Sequence, residues 1–269
     1  MLLQSACHPK PICRGGEHSG RYAHIAKYFN SHGYSVCAVD HAGHGRSEGT
    51  RMHSTDFMHS VADIQQYLDE TVLPMCAGTP VFVLGHSIGG LLGALVAAGA
   101  PPGQLQAVAL TGPCIRLGAS MNDTLAKVVL PLAAALFPKL RVPGPPVQHL
   151  THSRAVQLQY LRDPLNSASC TLAFVQAMLA AQQQAVRSAV DIYMPLLVLH
   201  GAEDQVCDMG GSEALVQAAP KAELRKVPQG KHEILNDTGF QQHLADILMW
   251  FQQKSPQSSS AQRAVGSEQ

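Results

Sequence analysis

Three residues far apart in this chain are the ones whose types and spacing could do chemistry together. Ser87 stands in Gly85-His86-Ser87-Ile88-Gly89, a G-x-S-x-G match, with the valine-rich run VFVL before it and the apolar run LLGALVAAGA after it. Buried strand, sharp turn and helix are the setting that makes this common pattern a nucleophile elbow. So tight a turn strains the serine backbone and needs small neighbours. Gly85 and Gly89 let the helix close on the strand, and Gly90 and Gly93 extend that smooth face. The bland alternative is a Gly-rich turn with an incidental serine, and the order of the flanks argues against it.

A serine hydroxyl is a poor nucleophile near neutral pH. It needs a base within hydrogen-bond reach, and the base needs an orienting group. On an elbow of this kind the partners follow in the chain order serine, acid, histidine, each on a loop after a strand. Asp204 follows the apolar run Leu196–His200, and His232 follows Glu223–Val227, so both are expected where Ser87 is presented. The rivals fit less well. Asp208 reads as the cap of the next helix, and Glu203 is expected to point elsewhere. His200 closes a strand, and His243 lies inside the last helix. In the chemistry this implies, Ser87 attacks an acyl carbonyl, His232 relays the proton and Asp204 fixes the imidazole tautomer. The oxyanion needs two aimed N–H donors, and losing one costs a factor of ~10²–10³ in turnover. The backbone N–H of Ile88 is one candidate. Gly15, in the Gly-rich loop Arg14–Gly20, is the other.

The chain has 269 residues, 46% hydrophobic and 14% charged, which suits one large α/β domain with an insertion and a sizeable core. Lys plus Arg and Asp plus Glu both number 19, so no basic face is advertised and nucleic acid is not an expected partner. Seven scattered cysteines, without a C-x-x-C pair, point to reduced thiols and a cytoplasmic setting. His41 with His44, and His149 with His152, lack Cys or carboxylate partners at ligand spacing, so no metal is expected. No cofactor is called for. The apolar runs Leu91–Ala100 and Val128–Phe137 are about half of the ~20 residues a membrane-spanning helix needs. The N-terminus has no clear signal peptide.

Residues 1–13 form no convincing element. Ser19 is placed to cap a helix with Tyr22, Ile25, Ala26 and Phe29 on one face, and Gly33 ends it. Tyr34–Val39 reads as a buried strand, Asp40–Gly49 as a loop, and Asp56–Leu73 as an amphipathic helix. After the elbow comes the strand Ala107–Leu110. Strand and helix in alternation imply a parallel sheet covered on both faces. The rhythm fails over 114–189, which is helix-prone, proline-broken and without a good strand, so it reads as a helical cap. It resumes over 190–253 and closes with a helix over Phe240–Gln253. The core is therefore expected over 14–113 and 190–253. The polar, serine-rich residues 254–269 are expected to be a disordered tail. Within the cap, Val128–Phe137 is read either as a core-facing helix or as an exposed apolar lip for a lipid interface.

Taken together, GGEHSGRY at Gly15–Tyr22, DHAGHGRSEG at Asp40–Gly49, GHSIGG at Gly85–Gly90, HGAEDQVCD at His200–Asp208 and GKHE at Gly230–Glu233 resemble the monoacylglycerol lipase and lysophospholipase group of α/β-hydrolases. The resemblance runs from about Gly15 to Phe251. It implies that Ser87, Asp204 and His232 are nucleophile, acid and base, and that Gly15 and Ile88 line the oxyanion hole. It also implies a single-chain lipid ester as substrate, with a fatty acid and glycerol as products. The lipid would pass under the cap near Tyr160, Val128 and Leu132, with peripheral contact to a membrane or lipid droplet. Cys207 beside the acid reads as a reactive thiol or as a buried structural one.

The match departs at the front. Cys13-Arg14 stands where the group has His-Gly after an apolar strand, and CHPKPI is no strand. The expectation is a core whose first strands are absent, as in a truncated isoform, a mispredicted gene start or a divergent relative. Its sheet edge would be unpaired and Gly15 poorly supported. Lysophospholipase, general carboxylesterase or acyl-transfer activity are alternatives with the same machinery. A chain that binds lipid or a partner without turnover is the non-enzyme alternative.

Overall fold

The computed structural model describes residues 2–5, 16–76, 78–118 and 123–255, with 2–5 and 123–128 given by backbone alone. The expected tail over 256–269 and the segment 6–15, with Gly15, lie outside the described residues. The main sheet has the order β2-β1-β3-β4-β7-β8. Its strands are β1 (Leu2–Ser5), β2 (Tyr34–Cys37), β3 (Val81–His86), β4 (Ala107–Thr111), β7 (Leu196–Gly201) and β8 (Ala222–Val227). From β3 to β8 all pairings are parallel. β1 runs antiparallel to both β2 and β3, with Leu3 opposite Val36 on one side and Phe82 on the other.

That placement corrects the expectation for the front of the chain. Residues 1–13 were expected to form no element, yet Leu2–Ser5 is a strand and lies between β2 and β3. Ladder bonds are made by main-chain groups. A short segment with no alternating pattern can pair where two strand edges wait for partners.

The helices are α1 (Ala23–Ser31), α2 (Phe57–Tyr67), α3 (Leu73–Met75), α4 (Ile88–Gly99), α5 (Asp123–Leu136), α6 (Arg154–Arg162), α7 (Leu172–Ser188), α8 (Met209–Ala218) and α9 (Phe240–Lys254), and α1, α2, α4, α7, α8 and α9 cover the two faces of the sheet. Alternation along the strands decides which face each side chain joins. Val81, Val83, Val108, Leu110, Leu196 and Val198 pack with α2, α4, α7 and α8. Their neighbours Phe82, Leu84, Ala107, Ala109, Leu197 and Leu199 pack with α1 and α9. A strand buried on both faces reads as a continuous apolar run, the signature seen at VFVL. Phe82 and Phe251 meet with ring centroids 4.7 Å apart, and burying each ring contributes about 1.5–3 kcal/mol.

Local chemistry sets the helix starts. Asp56 accepts from Met58 N at 2.8 Å, and Thr171 caps α7 at Phe174 N. Asp208 caps α8 through Gly210 N at 2.7 Å, the role read for it in the sequence. In the turn Ser19–Tyr22 before α1, His18 rather than Ser19 is the capping side chain, and Ser19 N donates instead to Asp40 Oδ1 at 2.7 Å. Gly33, at φ 82°, closes the C-terminal end of α1. The helix expected over Asp56–Leu73 ends as a π turn, Leu68–Val72, before α3.

The stretch between β4 and β7 holds α5, α6 and α7, and also two short strands that no pattern announced. β5 (Arg141–Pro143) and β6 (Ser169–Thr171) pair antiparallel. Three-residue strands are too short to show a period. α7 belongs to the main core, through Phe174, Met178 and Ala181. The rest docks on the front loops by main-chain bonds, Ser167 N to Gly16 O at 2.9 Å and Thr171 N to Met52 O at 3.0 Å. Among the described residues no helix is long and apolar enough to cross a membrane.

Candidate active site

Ser87 sits between β3 and α4 with φ 55° and ψ −119°. A non-glycine residue held there carries roughly 1–3 kcal/mol of strain that the surroundings must offset. The surroundings are identifiable. Ser87 N donates to Thr111 O at 3.0 Å, and Ser87 O accepts from Gly90, Leu91 and Cys114 N–H groups. The elbow closes only because Gly85 has no side chain, since a Cβ there would lie 2.5 Å from Gly89 O.

The structure brings the three expected residues together. His232 Nε2 lies 2.8 Å from Ser87 Oγ, and His232 Nδ1 lies 2.8 Å from Asp204 Oδ2. A carboxylate can only accept, so Nδ1 carries the hydrogen and Nε2 is left as the acceptor facing the serine hydroxyl. His232 is fully buried and Ser87 nearly so. The other Asp204 oxygen accepts from Val206 N at 2.8 Å and Cys207 N at 2.9 Å. Burial pushes the Asp204 carboxyl up, but the His232 charge and hydrogen bonds from His200, His232 and Cys207 outweigh it. The net effect holds it well below the usual carboxylate range. The rivals are elsewhere. Glu203 is exposed near His152, and Asp208 is committed to its cap.

Ile88 is the first residue of α4, so its N–H is one of the first-turn donors that a helix cannot use itself. Gly15, the other expected donor, lies outside the described residues.

A cavity of about 1160 Å³ is walled by Val129, Leu130, Val142, Leu172, Val175 and Met178, and Asp204 and Val206 also line it. Most of its lining comes from the stretch between β4 and β7, so the insertion builds an apolar chamber beside Asp204. Of the residues expected to meet substrate, Leu132 is 64% exposed on the outer side of α5. The wall is made instead by Val129, Leu130 and Ala133. One residue along a helix turns the side chain by about 100°, so hydrophobicity alone could not say which side faces inward. Val128 lies in α5, with its side chain outside the described atoms. Tyr160 is held away from this chamber, donating to Ser167 O at 3.2 Å beneath the Arg21 guanidinium.

Sequence reasoning missed the ionic cluster next to His232. Arg21 pairs with Glu17 and, at 3.0 Å, with Glu233. Tyr22 Oη donates to Glu17 Oε2 at 3.0 Å, and Asn236 Nδ2 to Glu233 Oε2 at 3.2 Å. His18 also meets Asp163 of the insertion at 2.8 Å. The spacing of Glu17 and Arg21 was a readable signal, whereas the partnership with Glu233 required the fold. Cys207 is fully buried, in keeping with the structural reading of its thiol.

Against known proteins, the family model Hydrolase_4, described as serine aminopeptidase S33, matches residues 12–239. A monoacylglycerol lipase of Mycolicibacterium smegmatis is 33% identical over 247 residues, covering 87% of this chain and 84% of that protein. The monoglyceride lipase of Homo sapiens is 30% identical over 253 residues, covering 91% of this chain and 82% of that one. Among solved structures, the monoacylglycerol lipase of Paleococcus ferrophilus superposes with a TM-score of 0.81 at 22% identity. It covers 95% of this chain and 99% of its own. The Saccharomyces cerevisiae monoglyceride lipase, solved as a soluble variant with a substrate analog, gives 0.77 at 20%, over 94% and 90% of the two chains.

Proposed function

This chain belongs to the Hydrolase_4 family, in its monoacylglycerol-lipase-like group of α/β-hydrolases, and is a carboxylic ester hydrolase; from that premise we propose that it cleaves monoacylglycerol-type esters to a fatty acid and glycerol through Ser87, His232 and Asp204. The observation that carries the reading is the unbroken line of hydrogen bonds from Asp204 through His232 to Ser87, with 2.8 Å at each link.

The steps follow from that line. Ser87 Oγ attacks the ester carbonyl while His232 Nε2 takes its proton. Asp204 holds the imidazole orientation and offsets the charge of the imidazolium. The oxyanion is met by Ile88 N–H and by a second donor proposed at Gly15. His232 then passes its proton to the leaving glycerol oxygen, and the acyl group stays on Ser87. Water, deprotonated by the same His232, releases the fatty acid and restores the serine. The apolar chamber beside Asp204 suits a single acyl chain, which supports a lipid ester over a short polar one. Leu132, Leu136, Phe137 and Leu140 form an exposed apolar face on and after α5, which supports docking on a lipid surface.

The test is chemical. A fluorophosphonate probe should label the wild-type chain at Ser87, and Ser87→Ala should abolish labelling. A long-chain monoacylglycerol should be turned over faster than a matched lysophospholipid or short-chain ester. A folded chain that takes no label would end the hydrolase reading. Faster turnover of the lysophospholipid would reassign the head group.

A further inference from the structure

The chain of polar contacts does not stop at Asp204. His200, the penultimate residue of β7, is fully buried, and its Nε2 stands 3.3 Å from Asp204 Oδ2, the same oxygen that His232 engages. That Nε2 is also 3.1 Å from Cys207 O. On the other side of the ring, Nδ1 is 2.7 Å from Ser212 Oγ at the start of α8. The carbonyl of Cys207 and the carboxylate of Asp204 can only accept, so Nε2 bears a hydrogen shared between them. In the neutral ring Nδ1 accepts a hydrogen bond from the Ser212 hydroxyl. Ser212 is itself fully buried, so this tautomer is fixed by groups that water does not reach.

We propose that His200 is a positioning residue for the ester hydrolysis, holding the Asp204 carboxylate in register with His232 and sharing its charge. The proposal rests on the Ser87, His232 and Asp204 reading and adds a relay from Ser212 through His200 to Asp204. Two consequences follow. Asp204 Oδ2 has two ring nitrogens within reach, His232 Nδ1 at 2.8 Å and His200 Nε2 at 3.3 Å, and the second holds it in place for the first. The His200 N–H also draws charge from that oxygen, so Asp204 stabilises the imidazolium less than a carboxylate with His232 as its sole side-chain partner would. The groups facing this pair are His86 on β3, whose ring is 4.9 Å from that of His232, and Cys207 in the loop after β7.

The experiment compares wild type, His200→Leu, His200→Gln and Ser212→Ala. Each is normalised to the sites labelled by fluorophosphonate and assayed on a long-chain monoacylglycerol across pH. His200→Leu should lower kcat per labelled site by on the order of tenfold with KM little changed. The acid limb of kcat/KM should move up by roughly half a pH unit, because an unshared carboxylate favours the charged imidazole. His200→Gln keeps an N–H donor at similar reach and should recover most of both. A residue that merely filled space would be replaced as well by Leu as by Gln and would leave the acid limb in place. Ser212→Ala keeps the ring but frees its tautomer, and should show a smaller loss with the same shift; it carries the test if His200→Leu does not fold. Wild-type kcat and an unmoved acid limb in either folded variant would overturn the relay while leaving the hydrolase intact. A wild-type chain that labels nowhere and cleaves nothing would overturn both.

Discussion

Arg21 reaches from the front loop to Glu233, Nη2 to Oε2 at 3.0 Å, and Glu233 directly follows His232, whose Nε2 lies 2.8 Å from Ser87 Oγ. The side chains of Glu17 and Glu233 are fully buried and that of Arg21 is 9% exposed, so the cluster ties the loop after Gly15 to the loop of the base inside the protein. Burial alone would lower the Arg21 pKa, but the two carboxylates outweigh it and hold the guanidinium charged. Arg21→Met leaves two carboxylates buried without their cation, and should cost about 3–5 kcal/mol in urea unfolding. Adding Glu233→Gln should recover part of that loss. Retention of full stability by the single variant would mean that the cluster contributes nothing net.

Acid should weaken the fold in two stages. Burial depresses the His44 pKa, and the same cause depresses that of His243. A base with a depressed folded pKa contributes stability above its unfolded value, and that contribution fades as pH falls below about 6.5. Asp204, Asp237 and Asp163 are likewise depressed, by hydrogen bonds and neighbouring histidines that outweigh burial. Their contributions are complete above about 4 and are lost as pH falls further, through their folded values. Urea midpoints measured from neutral pH downward should therefore fall first near 6 and again below about 4. A midpoint flat down to about 4 would contradict the histidine part.

Gly201 ends β7 where the base loop crosses it. A Cβ there would lie 2.3 Å from both Gly230 O and Lys231 O. Gly201→Ala must therefore push the main chain that leads into His232. With His232 as the proposed base, the expected result is a loss of ~10²-fold in kcat/KM, because displacing a catalytic group by an ångström is costly. Thermal melting read beside the kinetics separates this from unfolding: Gly85→Ala, which strikes the elbow itself, should fail on both counts.

The exposed face of α5 offers a separable prediction. Changing Leu132, Leu136 and Phe137 together to Ser removes large apolar groups that touch solvent. Co-sedimentation with phospholipid vesicles should drop several-fold, while hydrolysis of a soluble short-chain ester stays unchanged. Equal vesicle binding by the triple variant would place the contact elsewhere.

Much of the candidate site's geometry was legible because its parts are local. The elbow is a strand, a glycine-bounded serine and a helix, and each leaves its mark within a few residues. Asp204 and His232 were legible through order, since a loop that follows a parallel strand must emerge at the same sheet end. The strand at Leu2–Ser5 was not legible. Its pairing partners are Tyr34–Cys37 and Val81–Val83, and the bonds are made by backbone groups that every sequence has. That Leu132 is exposed and Tyr160 lies outside the chamber wall was not legible for a related reason: whether a side chain faces a chamber depends on how its helix is rotated against its neighbours, and a mostly apolar segment does not encode that.

By itself, then, the sequence determined the alternation of strand and helix, the glycine-bounded turn at Ser87 and the chain order of its partners. These depend on short-range sterics and on hydrophobic period. Only the tertiary structure decided that His200 shares Asp204 with His232, that Arg21 joins Glu17 to Glu233, and which face of α5 walls the chamber. Those relationships join residues through the packing of separate elements, where distances of about 3 Å and exclusion of water give a charge or a hydrogen bond its weight.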